Sequence, residues 1–316
     1  MEYIKLILLL LLGFVLLIKG ADFFVEGSAS VAKKLRVPTF IIGITIVAMG
    51  TSAPECAVSI AASVKGANTL AVSNVVGSNI FNLLVVCGFC ALIKPLTVDK
   101  STVKKEFPFA IIVGLVMLGL SILRMNLSRL DGLILLVMFV IFLYYMVRSA
   151  LKAKTQSKDN EVDDNIKEIS VIRCIIYIVF GLAAIILGGD LVVDSASGIA
   201  SKLGLSQTLI GLTIVAVGTS LPELVTSLVA AKKNQMDMAV GNIIGSNIFN
   251  VLWIIGLAAA ISPIAIQMEN IIDLIILGVV SMISFLFVFR DHEIGKGEGV
   301  IMLLMYAGFI TYTCIR

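Results

Sequence analysis

The chain has 316 residues, of which 59% are hydrophobic and 14% charged, with mean hydropathy +1.07 and formal net charge +3. A soluble domain averages about 45–50% apolar and about 25% charged residues, so this composition defines an integral membrane protein. Its basic residues are scattered along the ends of apolar stretches, which excludes a nucleic-acid interface. The alternating pattern of an outer-membrane barrel is also absent.

Stretches of roughly 20 apolar residues mark membrane-crossing helices. In chain order they lie approximately at 4–31, 38–64, 69–93, 106–123, 130–147, 171–200, 206–230, 238–262, 271–289 and 297–315. The expected class is all-α integral membrane, with ten transmembrane helices. The first stretch has the apolar run of a secretory signal peptide, but it has a counterpart 168 positions later, which a cleaved leader would lack. GAD at 20–22 matches GGD at 188–190, and Val25–Leu35 (VEGSASVAKKL) resembles Val193–Leu203 (VDSASGIASKL). Asp22 and Asp190 read as interfacial helix-end residues.

The second stretch carries IIGITIVAMGTSAPE at 41–55, repeated as LIGLTIVAVGTSLPE at 209–223. Proline lacks an N–H and its ring clashes with the carbonyl four residues back. Pro54 is therefore expected to free the carbonyl of Gly50 and to loosen nearby ones, including that of Ala48. A free carbonyl in hydrocarbon is costly unless it lines a cavity or meets a ligand. Thr51 and Ser52 precede Glu55 by four and three positions, so all three share a helical face. Pro222, Gly218, Thr219, Ser220, Glu223 and Ala216 repeat the set. Carboxylate, hydroxyl and carbonyl oxygens are hard donors suited to Ca²⁺ and Na⁺. A glutamate at the bilayer midplane costs about 2.5–3.5 kcal/mol on insertion scales, and its recurrence in both copies argues against a purely structural role.

The third stretch carries VVGSNIFN at 75–82, repeated as IIGSNIFN at 243–250. Ser78 and Asn82 stand one helical turn apart, as do Ser246 and Asn250. Gly77 and Gly245 read as weak points in these helices. Asn79 and Asn247 fall off that face and are expected to hold helix contacts or cap broken ends. Pro95 and Pro263 close the corresponding helices.

The five cysteines are Cys56, Cys87, Cys90, Cys174 and Cys314. Cys87 and Cys90 form a CxxC inside an apolar stretch with no second pair nearby, so they read as packing residues. The one histidine, His292, lies in the polar turn RDHEIGKGE and reads as solvated. The substantial polar segment is 149–170. Its acidic run Asp159, Glu161, Asp163 and Asp164 fails as an EF-hand, because Asp164 stands where glycine is needed and Ser170 where glutamate is needed. A flexible linker is expected there.

Five helices before the repeat point and five after make the halves inverted repeats. Residues 1–148 form the first, 149–170 a cytoplasmic linker, and 171–316 the second. Assigning loops alternately to two sides places seventeen Lys and Arg on one side and six on the other. Positive charge marks the cytoplasmic face, so both termini are expected outside a cell membrane crossed many times.

GTSAPE with GSNIFN, and GTSLPE with GSNIFN, resemble the alpha-1 and alpha-2 repeats of the sodium/calcium exchanger family, prokaryotic type, in the calcium:cation antiporter superfamily. The resemblance covers the whole chain. It implies four central helices around a group of ion sites, with two long slanted helices that slide across them. It implies glutamate ligands at Glu55 and Glu223, hydroxyl ligands at Thr51, Ser52, Ser78, Thr219, Ser220 and Ser246, and carbonyl ligands at Ala48 and Ala216. Asn82 and Asn250 match the family's central amide or acid positions. Some relatives, potassium-dependent ones among them, have Asp at the position of Asn250, so potassium co-transport is not expected. The resemblance further implies three Na⁺ per Ca²⁺.

Exchange of Na⁺ for Ca²⁺ by alternating access is the expected function, with both ions as substrates, the bilayer as partner and no cofactor. No obligatory protein partner is expected. Two glutamates balance one Ca²⁺, whereas two bare carboxylates would oppose movement of the empty carrier. Proton/calcium exchange is the alternative, since paired carboxylates can load protons. A channel fits inverted repeats with broken helices less well. The chain is not expected to be an enzyme, since an intramembrane hydrolase would need an aspartate pair, a Ser/His dyad or a zinc motif.

Overall fold

A computed structural model describes residues 2–66, 68–156, 166, 168–205, 214 and 216–315. In chain order the elements are α1 (Glu2–Leu35), α2 (Thr39–Thr51), α3 (Ala53–Val64), α4 (Thr69–Ile93), β1 (Leu96–Thr97), α5 (Lys100–Arg124), β2 (Asn126–Leu127) and α6 (Arg129–Gln156). Then follow α7 (Val171–Lys202), α8 (Ala216–Gly218), α9 (Leu221–Lys232), α10 (Met236–Ile261), β3 (Ile264–Ala265), α11 (Met268–Asp291), β4 (Glu293–Ile294) and α12 (Lys296–Ile315). Among the described residues eight helices are long and apolar enough to cross a membrane, or nine if α2 and α3 count as one bent span. The expected span at 206–230 lies partly outside the described residues.

The longest helices are α1 and α7, with 34 and 32 residues. At 1.5 Å per residue each extends about 50 Å, well beyond a hydrocarbon core of about 30 Å, which favours a steep tilt. They pack against each other through glycines. A Cβ on Gly20 would lie 2.8 Å from the Gly181 carbonyl oxygen, and one on Gly188 would lie 2.8 Å from that of Gly13. The contacts climb α1 as they descend α7, so the two helices run antiparallel. Asp22 and Asp190 therefore stand well inside long helices and not at their ends.

The core centres on α4 and α10, the most enclosed spans, at 78% and 83% buried against 39% or less for the other long ones. Both widen into π-type turns after the repeated motif, at Asn82–Val86 and Asn250–Ile255. Gly77 and Gly245 do not break their helices. Among the described residues a Cβ on Gly77 would meet nothing within 4 Å. One on Gly245 would lie 2.5 Å from the Ile44 carbonyl oxygen, so this glycine admits α2 against α10.

Pro95 and Pro263 act as the sequence indicates. The preceding residues, Lys94 and Ser262, turn extended at φ −153° and −144°, as a following proline ring demands. The short strands just beyond pair antiparallel: β1 with β4 (Leu96 opposite Ile294) and β2 with β3 (Asn126 opposite Ala265). His292 departs from the solvated expectation. It is half-buried in a left-handed cap at φ 56°, and its carbonyl accepts the Val98 N–H at 2.8 Å. Met125 caps α5 in the same conformation, and its carbonyl accepts the Ile266 N–H. Helix α6 runs on to Gln156, past its expected close near 147. Ile166 and Glu168–Ser170 are docked: Lys33 Nζ donates to the Ile166 carbonyl at 2.8 Å, Lys34 pairs with Glu168 at 2.9 Å, and the Ile169 N–H donates to Ser30 Oγ at 3.1 Å. The remaining linker residues expected to be flexible, 157–165 and 167, lie outside the described residues. Cys87 and Cys90 are free and buried.

Candidate functional site

The chain bends by 47° between α2 and α3. Ser52 sits at the corner with ψ near zero, and Pro54 occupies the first turn of the new helix. Glu55 thus lies in the first turn of α3, at the positive end of the helix dipole. Ser220, Pro222 and Glu223 repeat this arrangement at the start of α9. Both glutamates are fully buried, as are Thr51, Ser52, Asn82, Ser220, Ser246 and Asn250. Ala48 and Ser78 are buried beside them.

The two copies interlock. Ser52 Oγ donates to Glu223 Oε1 at 2.8 Å, and Ser220 Oγ lies 3.2 Å from Glu55 Oε1 and 3.0 Å from Ser78 Oγ. Each carboxylate therefore meets the hydroxyl of the opposite copy. Its other oxygen, Glu55 Oε2 or Glu223 Oε2, is buried without a partner among the described residues. The same is true of Thr219 Oγ1, Ser246 Oγ, Asn82 Oδ1 and Asn250 Oδ1.

Buried polar atoms are nearly always satisfied, and six oxygens of this residue set lack the partner that such atoms ordinarily have among the described residues. Neutral and anionic oxygens without nitrogen or sulfur suit a hard cation. Among the described residues no three His, Cys, Asp or Glu side chains form a metal cluster, so the charge here rests on the two glutamates.

The carbonyl of Ala48 departs from expectation. It accepts the Ser52 N–H at 3.1 Å and faces Thr51 Oγ1 at 3.4 Å, so the bend does not leave it free. In the second copy the corner is tighter, and the Ser220 N–H reaches Val217 at 3.2 Å. Ala216 begins the short helix α8, and the segment just before it lies outside the described residues.

Four asparagines explain the orientation of the central amides. Asn79 Nδ2 donates to the Asn247 carbonyl at 3.1 Å, and Asn247 Nδ2 returns the bond at 3.3 Å. Asn82 Nδ2 donates to Asn247 Oδ1 at 3.2 Å, and Asn250 Nδ2 to Asn79 Oδ1 at 3.0 Å. With both NH₂ groups occupied, the Asn82 and Asn250 oxygens are left over. Asn79 and Asn247 thus hold a contact between helices, as their register indicates, and cap no broken end.

Asn74 and Asn242 belong to the same construction. Asn74 Nδ2 lies 3.4 Å from the Glu55 carbonyl and 3.1 Å from Ser59 Oγ. Asn242 Nδ2 lies 3.5 Å from the Glu223 carbonyl and 2.9 Å from Ser227 Oγ, and its Oδ1 accepts from Thr51 at 3.1 Å. Each amide ties α4 or α10 to the helix bearing a glutamate. The sequence held a signal for them: Asn74, Ser78 and Asn82 are spaced by four, and so are Asn242, Ser246 and Asn250.

The fold and the buried oxygen set define a multi-pass membrane protein with a polar centre at membrane depth. A family model described as sodium/calcium exchanger protein matches residues 5–148 and 174–315. The sodium/calcium exchanger MaX1 of Methanosarcina acetivorans is 32% identical over 96% of this chain and 97% of its own length. The inner membrane protein YrbG of Escherichia coli is 36% identical, covering 96% and 94%. The solved structure of the sodium-calcium exchanger NCX_Mj, soaked with Na⁺ and Ca²⁺, superposes with a TM-score of 0.84 at 34% identity, covering 99% of both chains. The chain belongs to the sodium/calcium exchanger family, a family of membrane transporters and not of enzymes.

Proposed function

We propose that this protein is a secondary antiporter that exchanges Na⁺ for Ca²⁺ across the cell membrane by alternating access. The observation that carries the proposal is the set of six buried, unpartnered oxygens on Glu55, Glu223, Thr219, Ser246, Asn82 and Asn250. Glu55 and Glu223 supply two negative charges to one Ca²⁺. Thr51, Ser52, Ser78, Ser220 and the carbonyl of Ala216 complete the ligand set as the ions exchange. Several Na⁺ share the same oxygens in the alternate occupancy, and near-neutrality of the loaded pocket lets it change sides.

The frame for this is ten transmembrane helices in two inverted five-helix repeats, residues 1–148 and 171–316, joined at 149–170. Reciprocity supports the inversion. Gly13 meets Gly188 while Gly20 meets Gly181, and each of these partners lies 168 positions from the other pair's member. Equivalent helices that pack antiparallel enter the membrane from opposite sides. The charge distribution puts both termini outside and 149–170 in the cytoplasm.

Radiolabelled calcium uptake into proteoliposomes, with sodium, potassium and proton gradients imposed separately, tests the assignment. Uptake driven by outward sodium alone is expected. Uptake driven by a pH gradient and indifferent to sodium would instead establish proton/calcium exchange.

A further inference from the structure

The 168-residue repeat extends beyond the oxygen cluster to a group of charges at the flanks. Asp22 and Glu26 of α1 correspond to Asp190 and Asp194 of α7, and Lys65 corresponds to Lys233. The acids of each pair stand four residues apart, on one helical face. Each lysine caps the C-terminus of the short helix that carries a site glutamate, α3 for Lys65 and α9 for Lys233.

The two copies are in different states. Lys233 Nζ lies 3.1 Å from Asp22 Oδ1 and 3.6 Å from Glu26 Oε2, and it also donates to the Asp22 carbonyl at 3.0 Å. All three side chains are half-buried. In the other copy Lys65, Asp190 and Asp194 are exposed, and no ion pair joins them among the described residues. A lysine at a helix C-terminus is favourable in its own right, but that accounts for neither the bridged geometry of one copy nor the open geometry of the other.

We propose that Lys233 and Lys65 are alternating latches, positioning residues that fasten a glutamate-bearing helix to the long helix pair at one membrane face at a time. The glycine contacts lock α1 and α7 backbone to backbone, so the pair moves as one body. In the topology assigned above, Lys233 falls on the cytoplasmic side and Lys65 on the outer side. Displacement of the pair along its axis therefore draws Asp190 and Asp194 toward Lys65 as it withdraws Asp22 and Glu26 from Lys233. The present structure is latched at the Lys233 end and open at the Lys65 end. The proposal rests on the alternating-access assignment above and adds to it the contacts that hold each closed face.

Two measurements on the full chain test it. The first compares the double variants Lys65→Cys with Asp190→Cys and Lys233→Cys with Asp22→Cys in membranes, using a short bifunctional thiol reagent and mass spectrometry. Both pairs are expected to cross-link, with opposite responses to Na⁺ and Ca²⁺. Absence of the 65–190 cross-link under every ionic condition would overturn the latch.

The second is half-saturation by Ca²⁺ at each membrane face for Lys233→Gln and Lys65→Gln. Because apparent affinity follows the population of the competent state, Lys233→Gln should tighten the cytoplasmic side and weaken the external side by about fivefold. Lys65→Gln should do the reverse, and Lys→Arg at either position should restore both values. Equal changes on both faces would reduce the lysines to structural caps. A 65–190 cross-link in a protein that moves no calcium would overturn the cargo and support the latch.

Discussion

Ser52 Oγ donates to Glu223 Oε1 at 2.8 Å across 171 positions of chain. The glutamate of one copy is thereby oriented by the hydroxyl of the other, and the same holds in reverse for Ser220 and Glu55. Neither half of the chain completes the site alone. One oxygen of each carboxylate is restrained and the other has no partner among the described residues.

Replacement of these hydroxyls should separate the two ions. Ser52→Ala and Ser220→Ala remove a neutral oxygen and a hydrogen bond to a carboxylate, worth about 1.5–3 kcal/mol. A monovalent ion depends more on neutral oxygens, so half-maximal Na⁺ should rise by about tenfold and half-maximal Ca²⁺ by much less. Equal shifts in exchange assays would mean that these hydroxyls serve no separate sodium site.

Loss of either charge should abolish calcium transport. Glu55→Gln or Glu223→Gln leaves one negative charge against a divalent ion, and truncating one side of a buried charge interaction typically costs about 2–5 kcal/mol. Calcium flux should fall at least about thirtyfold, by conversion of that range, while the purified variants remain monodisperse. Unimpaired flux in either variant would remove these glutamates from the site.

Asn247→Ala should act on Asn82 as well as on stability. It strips the acceptor of the Asn82 amide and the donor to the Asn79 carbonyl, and an unsatisfied buried group costs about 1–3 kcal/mol. Both the melting temperature and the apparent calcium affinity should drop. A lower melting temperature with unchanged calcium affinity would mean that the asparagine contact does not orient the site.

Gly188→Ala should disturb movement more than binding. Its Cβ would lie 2.7 Å from the Leu17 nitrogen and 2.8 Å from the Gly13 oxygen. Forcing the long helices apart costs about 1–3 kcal/mol, yet α7 lends no residue to the oxygen set. Exchange rate should fall with calcium binding at equilibrium largely kept. Wild-type turnover would show that close packing of α1 on α7 is dispensable.

Thr155→Cys tests the orientation. Thr155 is exposed near the end of α6, on the side rich in Lys and Arg. A membrane-impermeant thiol reagent should label it in inside-out vesicles only. Labelling from outside intact cells would invert the assigned topology.

The membrane class, most of the spans and the repeated acid-bearing motifs were legible in the sequence for one physical reason. A polar residue inside an apolar stretch is expensive, so it stands out, and its recurrence at 168 positions gives it a partner. Proline made the breaks near Ser52 and the helix ends before Pro95 and Pro263 equally visible, because its missing N–H acts within a few residues. Contacts between distant elements were not visible. Nothing local indicates that Ser52 serves Glu223 instead of Glu55, or that Asn79 and Asn247 hold the amides of Asn250 and Asn82. Nor does anything local indicate that Gly245 lies against the backbone of α2 at Ile44, a contact between residues about two hundred positions apart. His292 took up its cap through the Val98 N–H, across nearly two hundred positions. Sequence by itself determined which residues are costly in a bilayer and how each helix begins and ends. Tertiary structure alone decided which oxygens meet a protein donor and which are left over, because that depends on the helix facing them, and facing is set by packing across the whole chain.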